Sequence, residues 1–432
     1  MIITNFKTLI KTPLRKKALQ IVEAGYEAIN IEKAVKNKIK LSGNNLSISD
    51  AMTRHSINLN DYKKIFIIGI GKGSALASAA LAKILGSKLS KGIVIDIEKP
   101  KLEIKNSKLE IFKGTHPISS TQNIKATKKI IELAENTCED DLIISFICGG
   151  GSALLCGSEK EAKNSREIFK KLTGAGANII EINTIRKHLS EVKGGGLAKI
   201  AYPATVFSLI VSDVFKNDLS MVASGPTIYD KTAKKDAEKI LVNYKLRTTN
   251  YELLETPKDR KYFKKVKNIL FISNHEPVKA MMKKAEKLGF SPKIYSYNLK
   301  GEAKNVFIPL TKKVKNKGVI IAGGETTIVL GNNPGKGGRN MEAVLGAITR
   351  SQNPISSNLV VISFASDGRD NTDAAGAIGD ILTIKKAKKF KLDFEKHLKS
   401  HSTWEFFKKT DDLIFAEKKN FNVSDLMLVI KE

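Results

Sequence analysis

The chain has 432 residues, a length that predicts two domains rather than a single compact core. Hydrophobic residues make up 42% and charged residues 27%, a globular balance, and no run approaches the roughly 18 apolar residues of a membrane span. The net charge of +29 comes from 64 Lys and nine Arg, scattered without an interleaved aromatic platform. This pattern favours a lysine-rich solvated surface over a nucleic-acid footprint, and a positive field also draws anionic substrates.

The N-terminal stretch and the cysteines bear on the cellular compartment. Residues 1–20 are punctuated by Lys and Arg and lack an unbroken apolar segment, so we expect no signal peptide. Cys138, Cys148 and Cys156 form no CxxC pair, which indicates free thiols in a reducing compartment. The sequence therefore predicts a cytoplasmic protein without a membrane partner.

Strands and helices alternate along most of the chain. Residues 14–36 have helical spacing, and residues 41–62 are polar and loop-like. From residue 64 we predict strands at 64–70, 92–97, 109–114, 141–147 and 204–213, and helices at 74–85, 124–135 and through most of 162–201. A charged region at 246–266 is interpreted as a linker. A second run has strands at 268–274, 293–298, 318–324, 326–330 and 358–367, and helices near 276–288 and 340–350. This alternation predicts α/β architecture with a parallel sheet covered by helices.

The first glycine-rich loop, GIGKGS, follows the strand at 64–70 and contains Gly69, Gly71, Lys72 and Gly73. A dinucleotide fingerprint requires GxGxxG, but Ser74 occupies the sixth position, and GxxxxGK[ST] does not match. Asp96 does lie at the end of the next strand, where a ribose-binding acid would be found. From these residues alone the loop holds a dinucleotide or a phosphate, or is only a tight turn.

Two further glycine loops also precede helices. CGGGSALL contains Gly149, Gly150, Gly151 and Ser152, and consecutive glycines beside a helix N-terminus can present backbone N–H groups to an anion. GNNPGKGGRNMEA at 331–343 adds Lys336 and Arg339. Three such loops at strand-to-helix junctions indicate anion binding more strongly than any one of them alone.

Two acidic turns follow later strands. The turn at 212–227 holds Asp213 and Asp218, and the turn at 366–377 holds Asp367, Asp370 and Asp373. An isolated Asp in a turn is usually a cap, but clusters beside phosphate-type loops are suited to Mg²⁺, which prefers carboxylates together with phosphate oxygens. His116, in KGTHPISS, is either a structural histidine or a substrate contact.

Long ordered motifs now identify a family resemblance. The segments INTIRKHLSEVKGGGLA (182–198), SDV…SGPT, GGETT (323–327), GKGGRN (335–340) and DG…TDAAGA together resemble the MOFRL-containing glycerate 2-kinases, over about residues 14–428. The resemblance implies a Rossmann-like, three-layer α/β/α N-terminal domain, placed here at 1–250. It also implies a smaller C-terminal MOFRL-type α/β domain, placed at 267–432, and an active site in the cleft between the two.

The implied reaction is the transfer of phosphate from ATP, with Mg²⁺, to the 2-hydroxyl of D-glycerate. The resemblance implies catalytic roles for Lys72 and Arg339. We expect Asp213 to act on Mg²⁺ or as the base, with Asp218 and Asp367 as further metal ligands. The glycines of the first two loops and Ser152 are expected to bind phosphate or nucleotide. The expected substrate-binding residues are Arg186, Lys187, Glu325 and Asn340.

The chain departs from the family pattern at several positions. Lys216–Asn217 stand where Gly-Asp is usual, GGRNME replaces GGRNQE, Asn371 stands in a shortened acidic turn, and AEKKNFNVSDL (416–426) lacks the usual glycines. These changes bear on the metal ligands and on nucleotide or substrate details.

Two alternative functions come from other classes. Relatives of this type have often been labelled hydroxypyruvate reductase, which would be an NAD(P)-dependent oxidoreductase using Gly69, Gly71 and Asp96. The missing third glycine, and basic and acidic residues at several separate loops, weigh against it. A basic nucleic-acid-binding protein would need clustered Arg and aromatic residues, which the sequence lacks. The expected partners are thus D-glycerate and ATP, with the chain a monomer or homodimer.

Overall fold

The computed structural model describes residues 1–50, 53–100, 108–214, 217–247, 249, 251–331, 333–350, 358–419 and 421–432. Its α-helices are α1 (Phe6–Leu9), α2 (Pro13–Ala28), α3 (Ile31–Lys38), α4 (Ser74–Leu85), α5 (Thr121–Glu135), α6 (Gly151–Leu154), α7 (Glu159–Gly174), α8 (Ile179–His188), α9 (Gly196–Ile200), α10 (Lys234–Asn243), α11 (His275–Lys287), α12 (Ile308–Lys313), α13 (Arg339–Arg350), α14 (Ile381–Lys389), α15 (Phe394–Lys399) and α16 (Thr403–Thr410). Its strands are β1 (Ile39–Ser42), β2 (Asn45–Ser49), β3 (Arg54–Asn58), β4 (Lys64–Ile70), β5 (Lys91–Asp96), β6 (Leu109–Lys113), β7 (Asp141–Cys148), β8 (Thr205–Val211), β9 (Val266–Ile272), β10 (Ser291–Leu299), β11 (Gly318–Gly324), β12 (Leu359–Ala365), β13 (Gly376–Gly379), β14 (Leu413–Ile414) and β15 (Asp425–Lys431).

The chain divides into two compact units. The central unit is Ile31–Ile272, and the terminal unit combines Met1–Asn30 with Ser273–Glu432. The predicted boundaries, 1–250 and 267–432, differ mainly in the first 30 residues. Those residues belong with the C-terminal segment because Arg15, in α2, is fully buried and its guanidinium bonds Asp380 and Asp412 at 2.6 to 2.7 Å.

A six-stranded parallel sheet forms the centre of the central unit, in the order β6-β5-β4-β7-β8-β9. Numbered from β4, this is the 3-2-1-4-5-6 order of a Rossmann-type doubly wound sheet. All eight residues of β7 are buried, as expected for a strand covered on both faces by helices. The predicted α/β class and the Rossmann-like three-layer arrangement are confirmed.

A small antiparallel sheet, β1-β2-β3, precedes the parallel one. The prediction of a polar loop at 41–62 is wrong for this reason. The segment alternates polar and apolar residues, and Leu46 and Ile48 of β2 are fully buried. Gly43, with φ +58°, allows the turn between β1 and β2.

The terminal unit has a mixed six-stranded sheet in the order β10-β11-β15-β12-β13-β14. Among the described strands of this sheet, only β10 and β11 form a parallel pair. β15 lies between β11 and β12 and is antiparallel to both, so β11 and β12 run in the same direction. Asp425 opens β15 and pairs with Gly324 on one side and Ala365 on the other. The turns that follow β11 and β12 therefore converge on one buried carboxylate.

The predicted strand at 326–330 and the predicted linker at 246–266 are both wrong, because contacts distant in the sequence decide their structure. Residues 326–330 form no strand; only Thr327 makes an isolated bridge, with Glu302, while Val329 and Leu330 are exposed. The region 246–266 is not a linker where the structure describes it, because Tyr251 and Leu253 are buried against α7, α8 and α10. Among the described helices, none has the length and apolarity needed to cross a membrane.

Candidate active site

The first candidate centre lies at the switch point of the parallel sheet. The strand order reverses between β4 and β7, and ligands in such sheets bind beyond the carboxyl ends of the strands on either side. The loop after β4 carries Lys72, and the loop after β7 carries Gly149 and Gly150. The Lys72 amide donates to the Gly149 carbonyl at 2.9 Å. The Lys72 side chain runs past Gly150, where an added Cβ would be only 3.0 Å from Lys72 Cε.

Positive charge gathers at this switch point. Partial burial, followed by the charges of Lys72 and Arg186, lowers the pKa of His116 to about 4, so this ring is neutral at pH 7. Burial also lowers the pKa of Arg186, whose guanidinium stacks on Phe169 at 4.9 Å. Within the described part of the chain, neither Lys72 nor Arg186 forms an ion pair, so their charge is left for a ligand.

The glycines of the first loop are explained by close packing. Gly69 lies inside β4, where an added Cβ would be 2.7 Å from Ser78 Oγ and from Val94. Gly71 has φ +103°, and its Cβ would be 2.4 Å from the Cys148 carbonyl. Gly73, with φ +86°, caps α4. These positions bring the two loops together; their predicted contact with phosphate stays a prediction.

The second glycine loop, the GGGS loop (149–152), leads into α6, a helix of only four residues. The dipole of α6 is therefore far weaker than the sequence suggested. The amides of Gly151 and Ser152, in its first turn, have no intrahelical acceptors. Ser152 Oγ bonds Ser224 Oγ at 2.8 Å, and Ser224 donates to buried Asn183 at 3.0 Å. This chain of hydrogen bonds joins the GGGS loop to the SGPT segment and to α8.

The acidic turn after β8 places one carboxylate beside the GGGS loop. A Cβ at Gly149 would be 2.0 Å from Asp213 Oδ2, so Asp213 occupies the space that the glycine leaves open. Asp218 is exposed, and its Oδ1 accepts hydrogen bonds from the amide and hydroxyl of Ser220. Lys216 lies outside the described residues. No group of three or more His, Cys, Asp or Glu residues in the described ranges is placed to hold a metal ion.

The second candidate centre lies in the terminal unit, around Arg339 at the start of α13. Its guanidinium forms an ion pair with Asp425 (Nε to Oδ2, 2.5 Å), donates from Nη2 to Asp425 Oδ1 at 3.3 Å, and donates from Nη1 to Glu325 Oε1 at 2.8 Å. These carboxylates raise the pKa of Arg339 far above its ordinary value despite burial. Asp425 is fully buried whereas Glu325 is exposed. The buried partner fixes the guanidinium, and the exposed partner is the one that a ligand anion could replace.

A buried hydrogen-bond network lies beneath this arginine. Asn340 donates to Asp425 at 3.0 Å and to Asp370 at 3.2 Å, and accepts from Ser363 at 2.6 Å. Burial, and then the charge of Asp425, raises the pKa of Asp370 to about 7. Asn340 is 1% exposed and its side chain is fully engaged, so it supports the site from below.

A cavity of about 500 Å³ opens beside Arg339. Its lining includes Thr326, Arg339, Glu342, Asn371 and His401. The glycine loop 335–338 forms one wall and packs on the segment 400–404. The Gly335 amide donates to the Ser400 carbonyl at 2.8 Å, and the Trp404 amide donates to the Lys336 carbonyl at 3.0 Å. The cavity lies wholly within the terminal unit.

The chain matches two family models and relatives with known names. A family model described as a domain of unknown function, DUF4147, matches residues 17–255, and the MOFRL family model matches 318–425. A glycerate 2-kinase from Pyrococcus horikoshii is 32% identical over 98% of each chain. A D-glycerate 2-kinase from Thermotoga maritima is 33% identical over 96% of this chain and 98% of its own. The chain belongs to the MOFRL-containing glycerate 2-kinase family.

Structural similarity to this family extends over the whole fold. A solved structure of a glycerate kinase from Thermotoga maritima superposes with a TM-score of 0.82 at 29% identity, covering 96% of this chain and 99% of that one. The resemblance inferred from the motifs is therefore confirmed.

Lys72 and Arg339, the two residues for which the family resemblance implies catalytic roles, belong to different units. Arg186 and Asp213 lie in the central unit with Lys72, as does Asp218; Glu325, Asn340 and Asp367 lie in the terminal unit with Arg339. Lys187 is instead 6% exposed and pairs with buried Asp230 at 3.1 Å, the environment of a structural ion pair.

Sequence reasoning missed three residues of the second centre: Asp425, Thr326 and His401. Asp425 lies in a segment that the sequence marked only as a departure from the family. His401 stands in no motif, so only the folded chain reveals its position.

Proposed function

We propose that this chain phosphorylates D-glycerate at its 2-hydroxyl, with ATP as the phosphate donor. The observation that carries the proposal is agreement over nearly the full length of both chains with relatives named glycerate 2-kinase. Phosphoryl transfer requires positioning and neutralisation of charge more than covalent chemistry. Each centre supplies a cation at a loop that follows a strand.

The switch point of the central unit suits the phosphates of ATP. Lys72 and Arg186 have no acidic partner among the described residues. A bound phosphate could therefore pair with both cations without displacing a carboxylate. The amides of Gly151 and Ser152, in the first turn of α6, add donors that anions prefer. We assign Lys72 to the transferring group, where it offsets charge that develops in the transition state.

Arg339 suits the second anion, either the carboxylate of glycerate or the γ-phosphate. A guanidinium binds either group through two parallel hydrogen bonds. Asp425 holds the guanidinium in place before the ligand arrives, and such preorganisation lowers the cost of binding. Glu325 would yield its contact to the ligand and thereby tune affinity.

Mg²⁺ is proposed as the metal, held chiefly by Asp213. The residues fit the ion, because it prefers one or two carboxylates together with phosphate oxygens and water rather than a full protein cage. When bound, it would neutralise charge on the phosphates. Asp213 lies beside the GGGS loop, and this proximity to the proposed phosphate site supports its assignment as a metal ligand. Asp218 and Asp367 stay predictions as further ligands.

The placement of Asp96 weighs against the reductase alternative. Its side chain is 3% exposed, and its oxygens accept from the amides of Ala75 at 3.0 Å and Ile97 at 2.7 Å. Burial raises the pKa of this carboxyl to about 6. Asp96 thus stabilises the start of α4 and the end of β5, and a ribose would have to displace these contacts.

We infer that the enzyme works in the cytoplasm as a monomer or homodimer, with D-glycerate and ATP as its partners and without nucleic acid. The lysine-rich surface is expected to hold DNA only weakly, with binding lost at moderate salt.

A coupled assay tests the function. Purified full-length protein is expected to release ADP from ATP only when both D-glycerate and Mg²⁺ are present, and EDTA should abolish the release. A parallel reaction with hydroxypyruvate and NADH should show no oxidation. Oxidation of NADH without ADP release would overturn the proposed class of enzyme.

A further inference from the structure

The cavity beside Arg339 contains a histidine that the family motifs do not mark. His401 Nδ1 lies 2.9 Å from Glu342 Oε2, and both residues line the cavity. The Glu342 side chain is 2% exposed and the His401 side chain 13% exposed. Within the described ranges, no other side chain bonds the Glu342 carboxylate.

This contact determines which ring nitrogen carries a proton. A buried carboxylate requires a hydrogen-bond donor, so Nδ1 of His401 must carry the hydrogen and donate it to Glu342. In the neutral ring Nε2 then has a lone pair and accepts. Nε2 makes no hydrogen bond to any described residue, and His401 is one of the residues that line the cavity.

A second polar group in the same cavity also lacks a partner. Thr326 is 2% exposed, and its Oγ1 is buried without a hydrogen bond to the described residues. Thr326 lines the cavity together with Arg339 and His401. A ligand oxygen would satisfy the hydroxyl, and buried polar groups are otherwise nearly always paired.

Together these groups match an α-hydroxy acid. Arg339 offers a fork for the carboxylate, Thr326 a donor for a ligand oxygen, and His401 Nε2 an acceptor for a hydroxyl proton. We propose that this cavity binds the organic acid substrate and that His401, oriented by Glu342, is the general base that takes the proton of its hydroxyl. The assignment rests on the proposed kinase function.

The step balances without a further reactant. The substrate O–H bond breaks as its proton passes to Nε2, and the oxygen lone pair forms the new bond to the γ-phosphorus of ATP. The bond from that phosphorus to the β–γ bridging oxygen breaks, and its electron pair leaves with ADP. The imidazolium then returns the proton to solvent. His401 is thus the base, and Asp213 keeps only its proposed role as a metal ligand.

His401→Asn tests the assignment with little structural change. Asn can donate to Glu342 from its amide as Nδ1 does, but it lacks the acceptor at Nε2. His401 has φ +54°, a left-handed conformation that Asn tolerates well. We expect kcat to fall roughly 100- to 10,000-fold, the usual contribution of a general base, with KM for ATP and the melting temperature nearly unchanged.

His397→Asn is the matched control. His397 lies four residues earlier, bonds Ser402 through Nδ1 at 2.8 Å, and does not line the cavity. Its substitution should leave kcat near that of the wild type. Thr326→Val should instead raise KM for glycerate about tenfold, with a smaller effect on kcat, as expected for the loss of one ligand hydrogen bond.

Chemical rescue separates a base from a structural role. In His401→Gly, which also accepts positive φ, added imidazole is expected to restore turnover in a saturable manner. A folded His401→Asn with kcat within about threefold of the wild type, or a folded His401→Gly that imidazole does not rescue, overturns the assignment. In both cases an active wild type leaves the proposed kinase function standing. A wild type without glycerate-dependent ADP release overturns both.

Discussion

Lys72 and Arg339 hold their charges in contrasting ways. Lys72 is half-buried and has no ion pair within the described residues, whereas Arg339 is fixed by buried Asp425. Loss of the Lys72 charge should therefore weaken only the interaction with a bound ligand. Loss of the Arg339 charge would also leave a buried carboxylate without its partner, so its effects on activity and on stability would be mixed.

Lys72→Met is therefore the cleaner test of charge at the switch point. We expect kcat to fall roughly 100- to 1000-fold, or about 3–4 kcal/mol in the transition state, because a charge acting on the transferring group is removed. The melting temperature should hardly change. Lys64→Met, at the exposed opposite end of β4, is the matched control and should keep normal turnover. Near-normal kcat in Lys72→Met would contradict the assigned role.

The raised pKa of Asp370 predicts that the stability of the folded protein falls as the pH rises, the opposite of the usual effect of a carboxylate. Its pKa of about 7 in the folded protein exceeds the unfolded value of about 3.9, so the folded state binds more protons between these values. Its contribution to stability is full below pH 4 and is lost as the pH rises to 7. At about 1.4 kcal/mol per pH unit, the loss is on the order of 4 kcal/mol.

Asp370→Asn should remove this slope, because Asn does not ionise. Urea unfolding at pH 4, 5.5 and 7 measures how the free energy of unfolding depends on pH. As the pH rises, the stability of Asp370→Asn should increase relative to that of the wild type. Asp393→Asn, at an exposed helix cap that Asn also supplies, controls for the loss of one carboxylate. Parallel curves for the wild type and Asp370→Asn would contradict the prediction.

At the scale of elements, the glycine loop 335–338 is held by contact with a neighbouring segment. An added Cβ at Gly337 would be 2.4 Å from Thr403 Oγ1 and 2.5 Å from the His401 carbonyl. At Gly331, which precedes this loop, no atom of the described residues lies within 4 Å of an added Cβ. The wall of the cavity therefore depends on the absence of a side chain at Gly337.

Gly337→Ala should displace this wall, whereas Gly331→Ala should not. We expect Gly337→Ala to lower stability by about 1–3 kcal/mol, the usual cost of overpacking, and to raise KM for glycerate. Gly331→Ala should stay within about 0.5 kcal/mol of the wild type. Thermal unfolding and steady-state kinetics measure both quantities. Equal behaviour of the two variants would show that the loop does not depend on this packing.

Much of the parallel sheet could be predicted from the sequence because its signals are local. The apolar run 64–70, the loop glycines and the helix 74–85 lie next to one another, and the structure matches both element ranges. The segment TTIVL at 326–330 has the composition of a strand, yet the place beside β11 is taken by β15 from the far end of the chain. Tertiary pairing overrides local propensity there.

The site shows the same division between local and distant signals. Lys72 and the GGGS loop could be found because ligand loops follow strands. Asp425 and His401 could not, because they lie 86 and 62 residues beyond Arg339 in the sequence and reach it only through the sheet order and the packing of 400–404.

At the scale of the whole molecule, the terminal unit is built from both ends of the chain. Arg15 bonds Asp380 and Asp412 in a fully buried cluster, and Lys17 bonds Glu432 at 2.6 Å. Lys11 also pairs with Asp412, at 3.1 Å. Removal of residues 1–30 would therefore leave two buried carboxylates without their cations, a loss that typically costs several kcal/mol.

A circular permutation tests this architecture. Residues 273–432 joined through a flexible linker to residues 1–30 should form a folded domain with a dispersed NMR spectrum and a cooperative thermal transition. Residues 273–432 alone should not. Cooperative folding of the C-terminal segment without residues 1–30 would contradict the two-segment unit.

Phosphorus NMR of the reaction product tests the central claim most directly. Wild-type protein incubated with D-glycerate, ATP and Mg²⁺ should yield 2-phosphoglycerate and ADP in equal amounts, because the proposed base and cation fork act on the hydroxyl next to the carboxylate. Formation of 3-phosphoglycerate alone would contradict the proposed position of transfer, and the absence of any phosphorylated glycerate would contradict the kinase itself.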